Sequence, residues 1–346
     1  MIVKKKVRVC LIGAGRIGFK LEFDHRRSKP ASHFGMWLKN KDTKFVGIAE
    51  KTNLNKFIKN IPKSIKIYTN YIKMIKELKP QIVSIATWKD SHFSIAKQCI
   101  EMGVKNIVLE KPLANNIKQA TKLHKIIKLK KVNIFINHRR RFDEEIIKLK
   151  KIIDRGIIGK ILHVNSNYVF GILTTGTHLI DTLRMLLVQQ CGEITHVSGF
   201  SNKMKNFCPK DDTNIDGKIF FRNGLCVNIN SLNMKAYDNF DISIFGTKGK
   251  LTINGIGRDG FIYKVIKSTE HSGFTELSQL KKRVFGPKPR NQFGYLARNA
   301  ISCLKNKKNK SLCDSYDSLV DMIIINGLIQ SSKKDGRKIN IKIPKD

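Results

Sequence analysis

Val7-Arg-Val-Cys-Leu-Ile-Gly-Ala-Gly-Arg-Ile-Gly18 decides how the rest of the chain is read. Val7–Ile12 is an apolar run of strand length, and Gly13 begins a turn directly behind it. A glycine turn set between a strand and a helix is the form that holds a dinucleotide pyrophosphate. In Gly13-x-Gly15-x-x-Gly18 the first glycine permits the tight turn. The second lets backbone amides approach the phosphates, and the third lets helix and strand pack closely. Amides and helix dipole then stabilise the phosphate charge. Ala14, Arg16 and Ile17 complete the expected cofactor loop.

Outward from this turn, strand and helix patterns alternate. Phe45–Ala49, Ile65–Tyr68, Ile82–Ala86, Ile107–Leu109 and Asn133–Ile136 read as strands. Helices are expected from Asn70, from Ser91 or His92, and from a cap at Asn115 or Asn116. Such repeated units imply a doubly wound parallel sheet. Beyond Asn137 the pattern changes. Glu144–Arg155 and His178–Val188 read as helices, and Ile161–Tyr168 as a strand. Strand-like runs separated by Asn-Gly, Asp-Gly and glycine turns then dominate from Ile194 to Val265. Meanders of this kind give an antiparallel sheet. A loop from Gly286 to Arg290, helices at Asn291–Leu304 and Ser315–Ser331, and an end strand Ile339–Ile343 close the chain. The expected organisation is α/β. Residues 1–137 form a Rossmann dinucleotide-binding domain. Residues 138–346 form an α+β domain with a mostly antiparallel sheet.

Several side chains fall where open α/β sheets place their chemistry, at the carboxyl ends of the strands. Glu50 ends the second strand and is the candidate ribose acid. The polar stretch Glu22–Pro30 reads as an insertion in or after the first helix and explains why Glu50 stands farther on than usual. A carboxylate there accepts ribose hydroxyl protons and repels a 2′-phosphate, which favours NAD, with NADP possible; Lys51, Arg26 and Arg27 weigh the other way. Thr87 and Trp88 follow the next strand and face the expected cofactor. His92 either caps its helix or points at the cofactor. Glu110-Lys111-Pro112 ends a further apolar strand. A partly desolvated lysine beside a positive nicotinamide can accept an alcohol proton. Cofactor site and proton-transfer lysine on one sheet point to a dehydrogenase. Arg139, Arg140 and Arg141 follow the last strand of the series, and arginine forks suit phosphate or carboxylate. Tyr168 ends a strand expected to line the substrate cleft.

Composition narrows the alternatives. The chain has 346 residues, 41% of them apolar, enough for two substantial cores. No apolar stretch approaches the roughly 20 residues that span a bilayer, and Met1–Lys6 is not followed by a signal-peptide core. The expectation is a cytoplasmic protein without membrane insertion. Seven cysteines without a Cys-x-x-Cys fit neither a disulfide framework nor a zinc site, and no metal is expected. Lys+Arg number 66 against 27 Asp+Glu, a net charge of +39. The basic residues run from Lys4 to Lys345 rather than in one tail, and few aromatics interleave with them. That reads as compositional drift rather than specific nucleic-acid binding. A positive field still attracts an anionic substrate.

The chain resembles the glucose–fructose oxidoreductase/inositol dehydrogenase (Gfo/Idh/MocA) family. The matching residues are Gly13-Ala-Gly-Arg-Ile-Gly18, Ile85-Ala-Thr-Trp-Lys-Asp-Ser-His92, Glu110-Lys-Pro-Leu113, Arg140-Arg-Phe-Asp143, Gly156-Ile-Ile-Gly-Lys160 and Gly176-Thr-His-Leu-Ile-Asp-Thr-Leu-Arg184. The resemblance implies NAD(P)-dependent hydride transfer on sugars, cyclitols or nucleotide sugars, and a homo-oligomer, dimer or tetramer, built through the open sheet. It implies that Lys111 does the acid–base work, that Glu110 holds the local geometry and contacts cofactor, and that Lys111–Pro112 is a cis peptide. It places Arg141 near the substrate. The family's Asp-x-x-x-His pair puts its histidine on His178, but Thr174 stands at the aspartate. His178 is therefore assigned to substrate binding or proton relay. Thr174 binds a substrate hydroxyl or caps the helix, and Asp181, one turn from His178, joins the substrate-binding set. The leading expectation is a sugar oxidoreductase, with a nucleotide sugar of surface-polysaccharide synthesis as substrate. The alternatives are a non-catalytic NAD(P)- or sugar-binding regulator and, behind it, a nucleic-acid-binding protein.

Overall fold

Val7–Ile12 (β1), Thr43–Ala49 (β2), Lys66–Tyr68 (β3), Ile82–Ile85 (β4), Asn106–Leu109 (β5) and Asn133–Ile136 (β6) form one parallel sheet in the order β3-β2-β1-β4-β5-β6. β4 and β5 are buried at every position, as strands covered on both faces must be. The order reverses between β1 and β4, and ligands of doubly wound sheets bind in the crevice at such a reversal. The computed structural model describes residues 6–52, 59–201, 208–280, 283–286 and 288–344; Met1–Lys5 and Pro287, parts of two sequence expectations, lie outside them.

The connecting helices are His33–Leu38 (α1), Tyr71–Leu78 (α2), Lys89–Glu101 (α3) and Ile117–Lys130 (α4). Side-chain oxygens close the first turns of α1, α2 and α4. Ser32 accepts from Gly35 N, Asn70 from Ile72 N and Lys73 N, and Asn116 from Gln119 N. α3 begins at Lys89, before the expected Ser91 or His92; Trp88 stays extended ahead of it, and Asp90 in the first turn suits the positive helix end.

The chain divides into two compact units, Met1–Asp143 with Arg290–Leu319, and Glu144–Pro289 with Val320–Asp346. The sequence reading draws one cut after Asn137; the chain instead returns to the first unit late. Gln292–Lys305 (α7) packs against β5 and β6. Asp143 accepts from Arg290 Nη1 at 2.8 Å and from Gln292 Nε2 at 2.6 Å. Ile136 N donates to Cys313 O at 2.9 Å, and Leu113 N to Ser318 Oγ at 3.2 Å. The division falls inside Ser315–Ser332 (α8).

The second unit carries Glu144–Asp154 (α5), Ile161–Val169 (β7) and Thr177–Cys191 (α6). Its later strands are Ile194–Ser201 (β8), Ile215–Phe221 (β9), Cys226–Leu232 (β10), Asp241–Gly246 (β11), Gly249–Asn254 (β12), Asp259–Lys267 (β13), Thr275–Gln279 (β14) and Ile339–Asn340 (β15). They form a nine-stranded sheet in the order β14-β13-β12-β11-β7-β10-β9-β8-β15. Neighbours are antiparallel except β7 and β10, which run parallel. One face is apolar and buried, with Val164, Val227, Ile229, Ile242, Ile244 and Leu251. The other carries asparagines paired across strands, Asn228 Nδ2 donating to Asn165 Oδ1 at 2.9 Å. None of the seven cysteines is bridged, and burial pushes the Cys10 and Cys99 thiols up to about 12. Among the described residues no helix is long and apolar enough to cross a membrane.

Candidate active site

The glycine turn lies where the sheet order reverses. Gly13 has φ +90°, and a Cβ on it would stand 2.7 Å from Ala86 O, at the end of β4. A Cβ on Gly18 would stand 2.2 Å from Gly13 O. Neither position tolerates a side chain. Gly15 is exposed, and a Cβ there would meet nothing within 4 Å. Two closed contacts around one open backbone face make a cradle of the shape a pyrophosphate requires. Ala14 and Gly18 are buried, Ile17 is half-buried, and Arg16 is exposed beside Gly15.

The insertion read from Glu22–Pro30 interrupts a helix rather than following one. Ile17 O accepts from His33 N at 3.2 Å and Gly18 O from Phe34 N at 2.8 Å, so the ladder begun at the turn resumes in α1. The looped-out segment is pinned at both ends. Phe19 is fully buried against Phe34, with ring centroids 4.6 Å apart. Glu22 Oε2 accepts from Ala31 N at 2.8 Å and Ser32 Oγ at 3.1 Å.

Glu50 sits at the end of β2, half-buried beside the turn. Its Oε2 accepts from Ala14 N at 2.6 Å, and its Oε1 from Thr52 N at 3.0 Å. Burial pushes this carboxyl up, but the bonds from Thr52, Ala14 and Lys51 outweigh it and hold the group below its ordinary value. An ionised carboxylate beside the first amides of the turn is what a ribose acid needs.

Glu110, behind β5, is buried and bound on one oxygen by two side chains. His33 Nε2 lies 2.7 Å and Asn137 Nδ2 2.5 Å from Oε1, and His33 Nδ1 lies 2.7 Å from Ser84 Oγ. Burial pushes the Glu110 carboxyl up; the bonds and charge of His33, the bond from Asn137 and the Lys111 charge outweigh it and lower it. The result is a locked, ionised carboxylate directly before Lys111. Ser84, His33 and Asn137 escaped the sequence reading. The only signal for His33 was its place one residue after the Ser32 cap.

Lys111 is half-buried, and its peptide bond to Pro112 is cis, as the resemblance implied. His92 is buried, with Nδ1 2.7 Å from Pro112 O and Nε2 3.1 Å from Thr87 O. Its ring therefore ties the ends of β4 and β5 together instead of facing a ligand. Thr87 is half-buried and accepts from Ser91 Oγ at 2.8 Å, while Trp88 is 86% exposed, leaving its ring face open for stacking. Arg141 is engaged within the first unit. Its Nη1 lies 3.0 Å from Asp317 Oδ2 and donates to Leu312 O at 3.3 Å.

In the second unit, a π-helical turn over Ile172–Gly176 leads into α6. Thr174 and His178 are both half-buried on this run, while Asp181 is fully buried. Asp212, which the sequence reading did not single out, accepts from Thr174 Oγ1 at 2.8 Å. Arg184 Nη1 lies 2.8 Å from Asp321 Oδ1, a buried ion pair. Tyr168 corrects its expectation. It is fully buried, and its hydroxyl donates to Ile215 O at 2.8 Å and accepts from Ile215 N at 2.9 Å, so it cannot line a cleft. Burial pushes its pKa up.

The first unit is thus an NAD-type Rossmann fold with a lysine behind a fixed carboxylate. Its residues 7–138 match the family described as "Oxidoreductase family, NAD-binding Rossmann fold". That match lies within the first unit and covers less than half of the chain, and NAD is the cofactor its description names. Among curated relatives, the uncharacterized oxidoreductase YhhX of Escherichia coli is 27% identical over 51% of this chain and 53% of its own. The match thus spans about half the length of that relative. Two solved structures share the fold across nearly the whole chain. One is levoglucosan dehydrogenase in complex with NADH and L-sorbose, with TM-score 0.76 and 17% identity over 98% of this chain and 99% of that one. The other is aldose-aldose oxidoreductase from Caulobacter crescentus with glycerol, with TM-score 0.74 and 16% identity over 97% and 100%.

Proposed function

We propose that the protein is an NAD(P)-dependent dehydrogenase or reductase acting on a secondary hydroxyl or keto group of a sugar. The observation that carries this reading is one sheet edge bearing both the glycine cradle with Glu50 and Lys111 behind the buried, ionised Glu110. The cradle amides hold the pyrophosphate, Glu50 takes the ribose hydroxyls, and Trp88 offers a stacking face. NAD is favoured over NADP because Glu50 repels a 2′-phosphate. When bound, the nicotinamide accepts or returns a hydride at the reacting carbon. Lys111, as the neutral amine, takes the proton from the hydroxyl oxygen on that carbon, and as the ammonium gives it back in the reverse direction. Glu110 and the His92 bridge keep Lys111 oriented. In the second unit, His178 and Thr174 bind the substrate. Arg141 serves by ordering its own loop rather than by direct contact. The basic field suits an anionic substrate, with a nucleotide sugar as the leading class and surface-polysaccharide synthesis as its context. A cytoplasmic homo-oligomer assembled through the asparagine-bearing sheet face completes the proposal.

The test is NAD(P)-linked turnover across a panel of sugars, cyclitols and nucleotide sugars. Lys111→Ala is expected to lower kcat by about 10²- to 10⁴-fold while leaving cofactor affinity unchanged. A regulatory binder, the second reading, is favoured by Thr174 standing where a carboxylate is expected. Its signature is cofactor binding without turnover and no response to Lys111→Ala.

A further inference from the structure

Asp212 belongs to the stretch that leads into β9, and its carboxylate lies against the turn that opens α6. Oδ1 accepts from Leu173 N at 2.9 Å and from Thr213 N at 2.7 Å. Oδ2 accepts from Thr174 N and from Thr174 Oγ1, both at 2.8 Å. The fit depends on Gly171, where a Cβ would stand 2.2 Å from Oδ2. An ionised carboxylate has about four lone-pair sites. These donors fill them, so Asp212 has no site left for a ligand and acts only through what it holds.

What it holds is a hydroxyl. Thr174 Oγ1 carries one proton and two lone pairs, and the proton is committed to Oδ2. Any other polar group that meets this oxygen must therefore donate to it. The bond is charge-assisted, which strengthens the oxygen as an acceptor. His178 lies four places further along, in the first turn of α6.

We propose that Asp212 is a positioning residue that makes Thr174 an obligate hydrogen-bond acceptor, selecting substrates that present a free hydroxyl at that point. This rests on the reading of the protein as a sugar oxidoreductase. The group recognised is a second, non-reacting alcohol of a polyhydroxylated substrate. A keto oxygen or an O-methyl ether there would face lone pairs with lone pairs.

The experiment uses the full chain and the best substrate from the turnover panel, together with its monodeoxy and mono-O-methyl analogues. Thr174→Val deletes the hydroxyl and leaves the backbone donors to Asp212 in place. It is expected to lower kcat/KM by about 10- to 100-fold, mainly through KM, with cofactor affinity unchanged. Asp212→Asn turns an amide donor toward Thr174 and frees its hydroxyl to donate. It is expected to shrink the preference for the hydroxyl substrate over one O-methyl analogue by a similar factor. A purely structural cap would move stability without moving that preference. Unchanged kcat/KM in Thr174→Val, or unchanged preference in a folded Asp212→Asn, overturns the proposal alone. Absence of NAD(P)-linked turnover in the unmutated protein overturns the redox reading and this proposal with it. Should Asp212→Asn fail to fold, Thr174→Val decides.

Discussion

His92 shows how a single ring can serve a site without touching a ligand. Both its nitrogens face carbonyl oxygens, of Pro112 and Thr87, yet burial holds its pKa below the ordinary histidine value, against those two bonds and the Glu110 and Asp90 charges. A lowered folded-state pKa means that the unfolded chain binds more protons. His92 therefore contributes stability that is fully present above its unfolded value, about 6.5, and is lost as pH falls from there toward the folded value. The stability difference between the unmutated protein and His92→Gln should shrink on acidification below about pH 6.5, by up to about 1.4 kcal/mol per pH unit. Urea titrations at several pH values measure it, and parallel curves for the two proteins would refute it. At this scale the sequence was partly legible. Gly13, Gly18, Glu50, Glu110 and Lys111 follow strand ends, which local pattern reveals. Tyr168 misled because the same pattern does not say which face of the strand is buried. Asp212 was invisible because its partner, Thr174, lies in a distant stretch that only the folded chain brings against it.

At the scale of elements, the interrupted first helix makes its own prediction. His33 and Phe34 bond to Ile17 and Gly18 as if Phe19–Pro30 were absent. Joining Gly18 directly to Ala31 keeps that register. The shortened protein should fold cooperatively and keep cofactor affinity. It should lose about 3 kcal/mol, chiefly from the buried Phe19 ring. Denaturant melts and a cofactor titration test this, and a loss of cofactor binding in a folded variant would contradict it. Glu22 gives a finer probe. A Cβ on Gly35 would stand 2.0 Å from its carboxylate, so Gly35→Ala should displace Glu22 from Ala31 and Ser32 at a cost of about 1–2 kcal/mol, read from the same melts. Legibility at this scale followed apolar content. β6 and β10 have the bounds that their sequence patterns predict. β14, Thr-Glu-Leu-Ser-Gln, has one apolar residue, is mostly exposed and gave no signal. The parallel pairing of β7 with β10 was equally hidden, because local alternation records that a strand exists and not which neighbour it takes.

For the molecule as a whole, charge and connectivity matter most. A chain of +39 repels itself in its compact state. Raising salt from about 0.1 M to about 1 M shortens the screening length from about 10 Å to about 3 Å. The melting temperature should rise by several degrees over that range; a flat or falling profile would show that the cations are already neutralised by their arrangement. The late return of Arg290–Leu319 to the first unit has a further outcome, for synthesis. During translation the nucleotide cradle and the lysine leave the ribosome while Arg290 and Gln292, the partners of Asp143, and Cys313, the partner of Ile136, are not yet translated. The dinucleotide half of the protein is thus completed only by segments made after most of the second unit. A nascent chain stalled before residue 290 should be prey to proteases at the edge of β6, and a gene cut after codon 143 should yield no self-sufficient cofactor module.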